Sequence, residues 1–451
     1  MPYSFITQAQ FKTALAQRLY DATEQLYPSA ELIAYQNEAL QAFNSFANFY
    51  RQEFTFTSSP GVTWYDLTTQ PNTLRALTAT DQSLVSLIEY HFLEPQTSAY
   101  PLTWTGSKQF TISDILNAIQ QFRDQLMSES NCTVIESIVA ATPGRTFLSD
   151  NAIQLRRVCW LPVSAPPFSA NCLLSSDTWG TQSFEAGFPQ LGNGTPQMYL
   201  RTTEPPLSFD VDIQPAVNGQ YDVITVNAGP ALSASAATVL QVPNDWCWVI
   251  KYGAIQQLLD RDSVSRDETR AKYASARYKQ GVAAMQEAPA LIAARIDNVP
   301  VVVEAVTSGD YYDANWQGKA QGTPTSIYYT GLNLVGLSPK PDNGPYSVTA
   351  SVVRNMPLPA NDGDYLQIGR EDIQAVLDYA QHIAMFKAGG SEFVATYPLY
   401  QNFLRHCSLY NSKLSAMSLW LEFLDGRAQE ETKVNPIFSR ISPSKVESSN
   451  G

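Results

Sequence analysis

The residue types that do chemistry are present in this chain, but they do not stand at the spacings chemistry needs. Histidines occur at 91, 382 and 406, and cysteines at 132, 159, 172, 247 and 407. His406 and Cys407 are adjacent, and neighbours on a helix point about 100° apart, so they do not make a nucleophile–base pair. Cys407 falls on an apolar stripe and reads as core; His91 and His382 sit on predicted helices and read as structural. There is no HExxH, no GxSxG and no GxxxxGK, and the loop Gly187–Gly194 lacks both a Lys-Ser/Thr pair and a following helix. Asp310-Tyr311-Tyr312-Asp313-Ala314-Asn315-Trp316 mixes carboxylates with aromatics, as sugar sites do. With 42 acidic residues some near pair is expected by chance, so the segment does not by itself argue catalysis. Asn361-Asp362-Gly363-Asp364 lacks the alternating ligands and closing Glu of a calcium loop and reads as a turn. Trp246-Cys247-Trp248 opens a segment apolar on most sides (Val249, Ile250, Tyr252, Ile255), which argues core rather than a stacking platform. No catalytic residue, metal ligand or cofactor is expected.

Charge and composition narrow the classes further. The chain has 451 residues, of which 16% are charged and 44% hydrophobic, and 29 Lys+Arg against 42 Asp+Glu give a net charge of −13. Gripping nucleic acid needs Lys and Arg to displace counterions, and no basic run exists, so DNA is expected only as something that passes by. A surface carried by Ser, Thr, Asn, Gln and 23 Tyr suits large protein–protein contacts. Five widely spaced cysteines without CxxC argue against a disulfide framework or a structural zinc, and free thiols fit a reducing cytoplasm. Met1–Ile6 shows no basic region or apolar stretch, so no signal peptide is expected, and no run approaches the roughly 20 apolar residues of a membrane span.

The elements that would position these residues are α and β in mixture. Thr7-x-x-Gln10 reads as a capping box. Pro28-Ser29 opens a long helix with Leu32, Tyr35, Ala39, Phe43, Phe46 and Tyr50 on one face. Residues 53–67 alternate around a Pro-Gly turn and predict a hairpin. Helices follow at 82–93 and from Ser113, strands at 132–140 and 152–163, and a Pro/Gly/Asn-rich stretch at 164–220 with short strands at Met198–Arg201 and Leu207–Ile213. A further helix is predicted at Asp267–Glu287. After Ala388-Gly389-Gly390, a C-cap, Pro398 marks the entry to a helix with Phe403, Cys407, Tyr410, Leu414, Met417, Leu421 and Leu424 at heptad spacing. That stripe fits a partner from this chain or from a neighbour.

A weak internal repeat stands out. Asn-Gly-Gln-Tyr, a strand at Asp222–Val226, Pro230, a strand at Val239–Val242 and a helix from Asn244 carrying Tyr252 recur as Asn-Gly-Pro-Tyr, Ser347–Val353, Pro357, Tyr365–Ile368 and a helix from Arg370 carrying Tyr379, at an offset of 125 to 127 residues. The expected class is α+β, a helical bundle combined with a sheet or sandwich region and a duplicated strand–turn–strand–helix unit. We divide the chain into a mainly helical 1–163, a loop-rich β region with helices at 164–300, a second repeat unit at 301–424 and an extended C-terminal arm at 425–451. In that polar arm the isolated apolar piece around Phe438, Arg440 and Ile441 is assigned as a partner contact.

The segment Tyr27-Pro28-Ser29-Ala30-Glu31-Leu32 through Asn37-Glu38-Ala39-Leu40 resembles the opening helix of the head–tail adaptor (connector) proteins of tailed bacteriophages. Tyr221–Val226, Pro230-Ala231-Leu232, Leu240-Gln241-Val242-Pro243 and Tyr252-Gly253-Ala254 resemble the second half of such proteins. The likeness covers about half of the chain in scattered pieces. The chain is longer than most adaptors, and its second unit has Gly369 where the first has Pro243. The resemblance implies a virion protein assembled in the bacterial cytoplasm. It would form a homo-oligomeric ring, commonly a dodecamer, between the portal protein and a tail tube or nozzle protein, with no membrane contact. DNA would pass through its acidic bore. The other class considered is a carbohydrate-binding protein of a helical glycan-capture type, motivated by the abundance of Tyr, Trp and Asn.

Overall fold

The computed structural model describes residues 5–424 except 70–75, 93–99, 103–108, 142–143, 164–170, 177–192, 202–205, 262–265, 314 and 343, with backbone alone for 412–424. The arm 425–451, with Phe438, Arg440 and Ile441, and most of the Gly187–Gly194 loop lie outside the described residues.

The fold is α+β. In chain order the first elements are α1 (Gln8–Arg18), α2 (Ser29–Ala47), β1 (Arg51–Thr57), β2 (Trp64–Asp66), α3 (Asp81–His91), α4 (Ile112–Ser130), β3 (Ile135–Ala140), β4 (Thr146–Phe147) and β5 (Ala152–Pro162). Short strands follow as β6 (Asn171–Cys172), β7 (Leu174–Ser176), β8 (Asn193–Gly194), β9 (Met198–Arg201), β10 (Ser208–Val211) and β11 (Gln214–Pro215), then the long β12 (Gly219–Asn227), α5 (Cys247–Asp260) and α6 (Glu268–Glu287). The remainder is β13 (Ala293–Ile296), β14 (Val299–Ala305), α7 (Val306–Tyr312), β15 (Ser326–Thr330), β16 (Leu334–Ser338), β17 (Ser347–Val353), α8 (Ile373–Met385), α9 (Gly390–Ala395) and α10 (Tyr397–Leu424).

The repeat proves larger than its sequence trace, because each strand–helix unit folds against a helix pair from the N-terminal part of the chain. β17 pairs antiparallel with β1, the strand after α2, and β12 pairs antiparallel with β3, the strand after α4. α2 and α4 both stop at an asparagine in the left-handed conformation, Asn48 and Asn131. Asn is among the few residues that enter this region at low cost. Each unit also touches the start of its partner pair in the same way. Gln8 N donates to Asp364 O and Leu366 N to Ile6 O, while Asp81 N donates to Thr238 O and Leu240 N to Ala79 O, all at 2.9–3.1 Å. The inner copy, from α3 to α6, is therefore inserted between β2 and β13 of the outer copy.

Three sequence expectations change. Segments 239–242 and 365–368 are not strands: Val239 and Tyr365 each make one isolated bridge, to Thr80 and Thr7. Their partners turn straight into helices, so no ladder can extend. The 53–67 hairpin does not form either. β1 and β2 lie at opposite edges of a seven-stranded sheet ordered β1-β17-β13-β14-β15-β16-β2. That sheet curls until its two edges meet at the turn between them, where the Phe56 and Tyr65 rings are 5.1 Å apart. Finally, Cys159 and Cys172 lie directly opposite on β5 and β6 and are joined by a disulfide. Only Cys132, Cys247 and Cys407 are free, all buried.

One apolar core running from Phe11 to Cys407 draws on helices of the first three sequence segments. A second fills the curled sheet, with Ile327, Leu337, Val348 and Val352. A third lies between the sheets β3-β12-β5-β6 and β4-β10-β9-β7, around Val158, Trp160, Phe209 and Tyr221. The heptad stripe of α10 finds its partner within the chain as far as Tyr410: Phe403 stacks on Tyr379 at 4.4 Å, and Tyr410 packs on Phe43 and Phe49. Among the described residues no helix is long and apolar enough to cross a membrane. The resemblance segment forms the end of a turn and the first half of α2, with Tyr27, Leu32, Tyr35 and Leu40 buried.

Close approach of α4 to α5 depends on Gly253, where a Cβ would meet Phe122 Cδ1 at 2.2 Å. Gly253→Ala is predicted to lower stability by about 1–3 kcal/mol through overpacking, read as a reduced denaturation midpoint. An unchanged midpoint would show that this helix pair is not tightly apposed.

Candidate functional site

The most demanding arrangement in the protein is a buried cation at the junction of the two copies. α6 carries Ala271, Ala274, Arg277, Gly281 and Met285 on its inner face, and Arg277 is completely enclosed. Its guanidinium lies 4.7 Å from the Trp248 ring, 5.3 Å from Tyr252 and Tyr379, 4.5 Å from Tyr400 and 5.8 Å from Phe46. It donates to the hydroxyls of Tyr379 and Tyr400 and to Gln280 Oε1 at 2.6 Å. Trp248 and Tyr252 belong to the inner copy, and Phe46, Tyr379 and Tyr400 to the outer. The repeat offset of 127 residues relates Tyr252 to Tyr379 and also Tyr273 to Tyr400. Tyr252, Tyr379 and Tyr400 face the charge directly, and Tyr273 packs behind them on Tyr252 and Tyr400.

Two further contacts join the copies. Lys251 on α5 bonds Glu38 on α2 and lies 3.1 Å from His91 Nε2. Burial lowers the proton affinity of Lys251 against the pull of Glu38. Asp245, ahead of α5, accepts from Asn44 Nδ2 and from Met356 N at 2.9 Å. It sits in a hollow with Asn44, Ser45, Trp246 and Arg354.

The two β units meet at a second cationic node. Arg157 on β5 forks onto Asp310, Nε to Oδ2 at 2.7 Å and Nη2 to Oδ1 at 2.8 Å. Trp316 Nε1 donates to the same carboxylate at 2.8 Å, and Trp64 Nε1 donates to Asp222 Oδ2 at 2.9 Å. The guanidinium faces both indole rings at 5.4–5.5 Å. Cys159, Cys172 and Asp310 come within 4.8 Å of one another, a set by type able to hold a metal. Here the sulfurs are bonded to each other and Asp310 is committed to Arg157, so the arrangement ties two sheets together.

The residues that sequence singled out distribute accordingly. Asp310 pairs with Arg157 and Asp313 with Lys319, and Trp316 is buried. Asp364 Oδ2 accepts from Ala360 N and Asn361 N, which makes 361–364 a turn. Trp246, Cys247 and Trp248 lie in the core, and burial raises the Cys247 and Cys407 thiols far above their ordinary range. His406 pairs with Asp372 at 2.7 Å. Sequence reading missed Arg277, Arg157, Lys251 and Glu38; for Arg277 the available signal was its place among small residues on one face of α6. Exposed large apolar side chains occur on the helical body, such as Tyr20 and Leu26, and on the β units, where they include Ile135 and Ile138 on β3, Phe147 on β4, Leu174 on β7, and Tyr311 and Tyr312 at the end of α7.

No protein-family model matches this chain, and no curated protein matches its sequence.

Two outcomes follow from the buried groups. Arg277→Ala leaves the rings of Tyr252, Tyr379 and Tyr400 around a void and is predicted to cost about 3–5 kcal/mol, measured by denaturant unfolding. The second concerns His382, whose Nε2 meets Tyr273 Oη at 2.7 Å and whose Nδ1 meets Thr396 Oγ1 at 2.8 Å. Burial, and next the charge of Arg277, push its pKa down to about 3. The unfolded chain takes up this proton near pH 6.5 and the folded chain does not, so the contribution is lost as pH falls from about 6.5 toward 3. Relative to His382→Gln, the wild type should lose stability between pH 7 and pH 4. A constant difference over that range would contradict the burial of a neutral imidazole.

Proposed function

We propose that this chain is a structural virion protein of a tailed-phage neck. It acts as an adaptor whose copies form a ring joining the portal to the tail around the DNA channel. The observation that carries the reading is the resemblance of Tyr27–Leu40 and of the 221–254 unit to head–tail adaptors, taken with the fold those residues adopt: a closed helical bundle that sends out two β units. A bundle locked by buried ion pairs gives a rigid body, and apolar side chains exposed on the β units supply contact surface. The net charge of −13 repels DNA phosphates, which favours passage over adhesion.

The test is native mass measurement of the purified protein alone and mixed with portal rings of tailed phages. The reading predicts a discrete complex of many copies on a ring, and no retention of linear duplex DNA at physiological salt. Failure to bind any portal, or tight DNA binding, would overturn it. One observation favours glycan binding instead: Tyr311 and Tyr312, 84% and 74% exposed, stand edge to face at 5.2 Å. Glycan-array binding abolished by alanine at both positions would replace the adaptor reading.

A further inference from the structure

β3 and β1 hold the same position in the two copies, each at an edge of its sheet. They treat that edge differently. β1 exposes Arg51, Glu53, Thr55 and Thr57, the charges and short polar groups that keep a sheet edge from pairing. β3 exposes Ile135, Ile138 and Ala140, with the two isoleucines 47% and 49% accessible. Its one ionisable group is Glu136. Burial first, and the Asp222 charge second, hold that carboxyl up at about 7, and among the described residues Glu136 makes no ion pair. Among the described residues nothing pairs with this edge.

The C-terminal residues offer a complement to it. Written antiparallel to Ile135-Glu136-Ser137-Ile138-Val139-Ala140, residues 436–441 place Ile441 opposite Ile135, Arg440 opposite Glu136, Ser439 opposite Ser137, Phe438 opposite Ile138 and Ile437 opposite Val139. Apolar meets apolar, cation meets anion and hydroxyl meets hydroxyl, the cross-strand pairs that stabilise a ladder. Pro436, which has no N–H, falls at the end opposite Ala140, where a strand tolerates it. A one-residue slip would break every one of these pairs.

The source of the strand follows from α10. That helix runs antiparallel to α8, with Tyr400 beside Tyr379 and His406 beside Asp372, the residue just before α8 begins. Its backbone continues to Leu424, about 27 Å past His406 at 1.5 Å per residue. Residues 425–435 add up to about 39 Å when extended. An arm launched past the end of its own bundle is suited to reach another molecule. We infer that the outer edge of β3 receives residues 436–441 of a second copy of this chain as an added antiparallel strand. This is β-augmentation, in which main-chain hydrogen bonds give affinity and alternate side chains give register. It assigns Phe438, Arg440 and Ile441 a self-contact, and it holds whether or not the assembly sits on a portal.

The experiment mixes two full-length chains of different tag mass, one carrying Ile138→Cys and the other Phe438→Cys, under mild oxidation without any portal. The expected result is a mixed disulfide dimer between the two tags. Adding Arg440→Glu to the second chain should remove most of it, and Glu136→Lys on the first should then restore at least half. Circular dichroism of each variant checks that the fold is kept. The inference is overturned by the absence of a mixed dimer, or by charge reversals that do not rescue each other. None of these outcomes bears on portal binding, so a failure here and a failure of the adaptor reading are separate results.

Discussion

A single buried guanidinium sets the terms for the rest of this structure. Removing a cation from water costs several kcal/mol even after relaxation, and Arg277 has no carboxylate among its hydrogen-bond partners to offset that cost. It has aromatic faces, each worth up to about 2 kcal/mol when desolvated, and the oxygens of Tyr379, Tyr400 and Gln280. The stabilisation exists only when rings from both copies close on the charge together. A helical unit that lost its partner copy would leave half of the cage in water. The duplicated chain is thus bound to fold as one body, with Lys251–Glu38 and Asp245–Asn44 reinforcing the same seam.

The β units inherit their placement from that body. Each grows from an equivalent strand pair, β1–β17 or β3–β12, but the insertions differ. The outer copy builds a curled sheet, and the inner copy a pair of stacked sheets. Arg157, Asp310 and Asp222 clamp one to the other, so the projections do not swing independently. A rigid core with fixed projections is what the ring proposed above would need, since each contact would repeat around it and small angular errors would accumulate.

How much of this was legible in the residues depends on the range of the interaction. Local signals read correctly: Thr7 and Gln10 cap α1 reciprocally, and the stripe from Leu32 to Phe43 is buried as its spacing required. The 125–127-residue repeat was visible in its Asn-Gly-x-Tyr turns and in Tyr252 and Tyr379, which meet in the same cage. The helix pairs that complete each copy were not visible, since α2 and α4 share a length and an Asn cap but little sequence. The 53–67 turn pattern was real, but the curled sheet offered β17 and β16 as better partners than the hairpin's own arms. Cys159 and Cys172 pair through a strand register that spacing does not reveal. Arg277 was hidden because a cation on a helix reads as solvent-facing until its neighbours on that face prove to be alanine and glycine.

The central claim is that one caged charge makes two nested copies a single cooperative unit, and native-state hydrogen exchange tests it most directly. In the wild type, amides in α2 and α8 of the outer copy and α4 and α5 of the inner copy should open with one shared free energy, and in Arg277→Ala that common value should split by copy. Separate opening energies for the two copies already in the wild type would contradict the account.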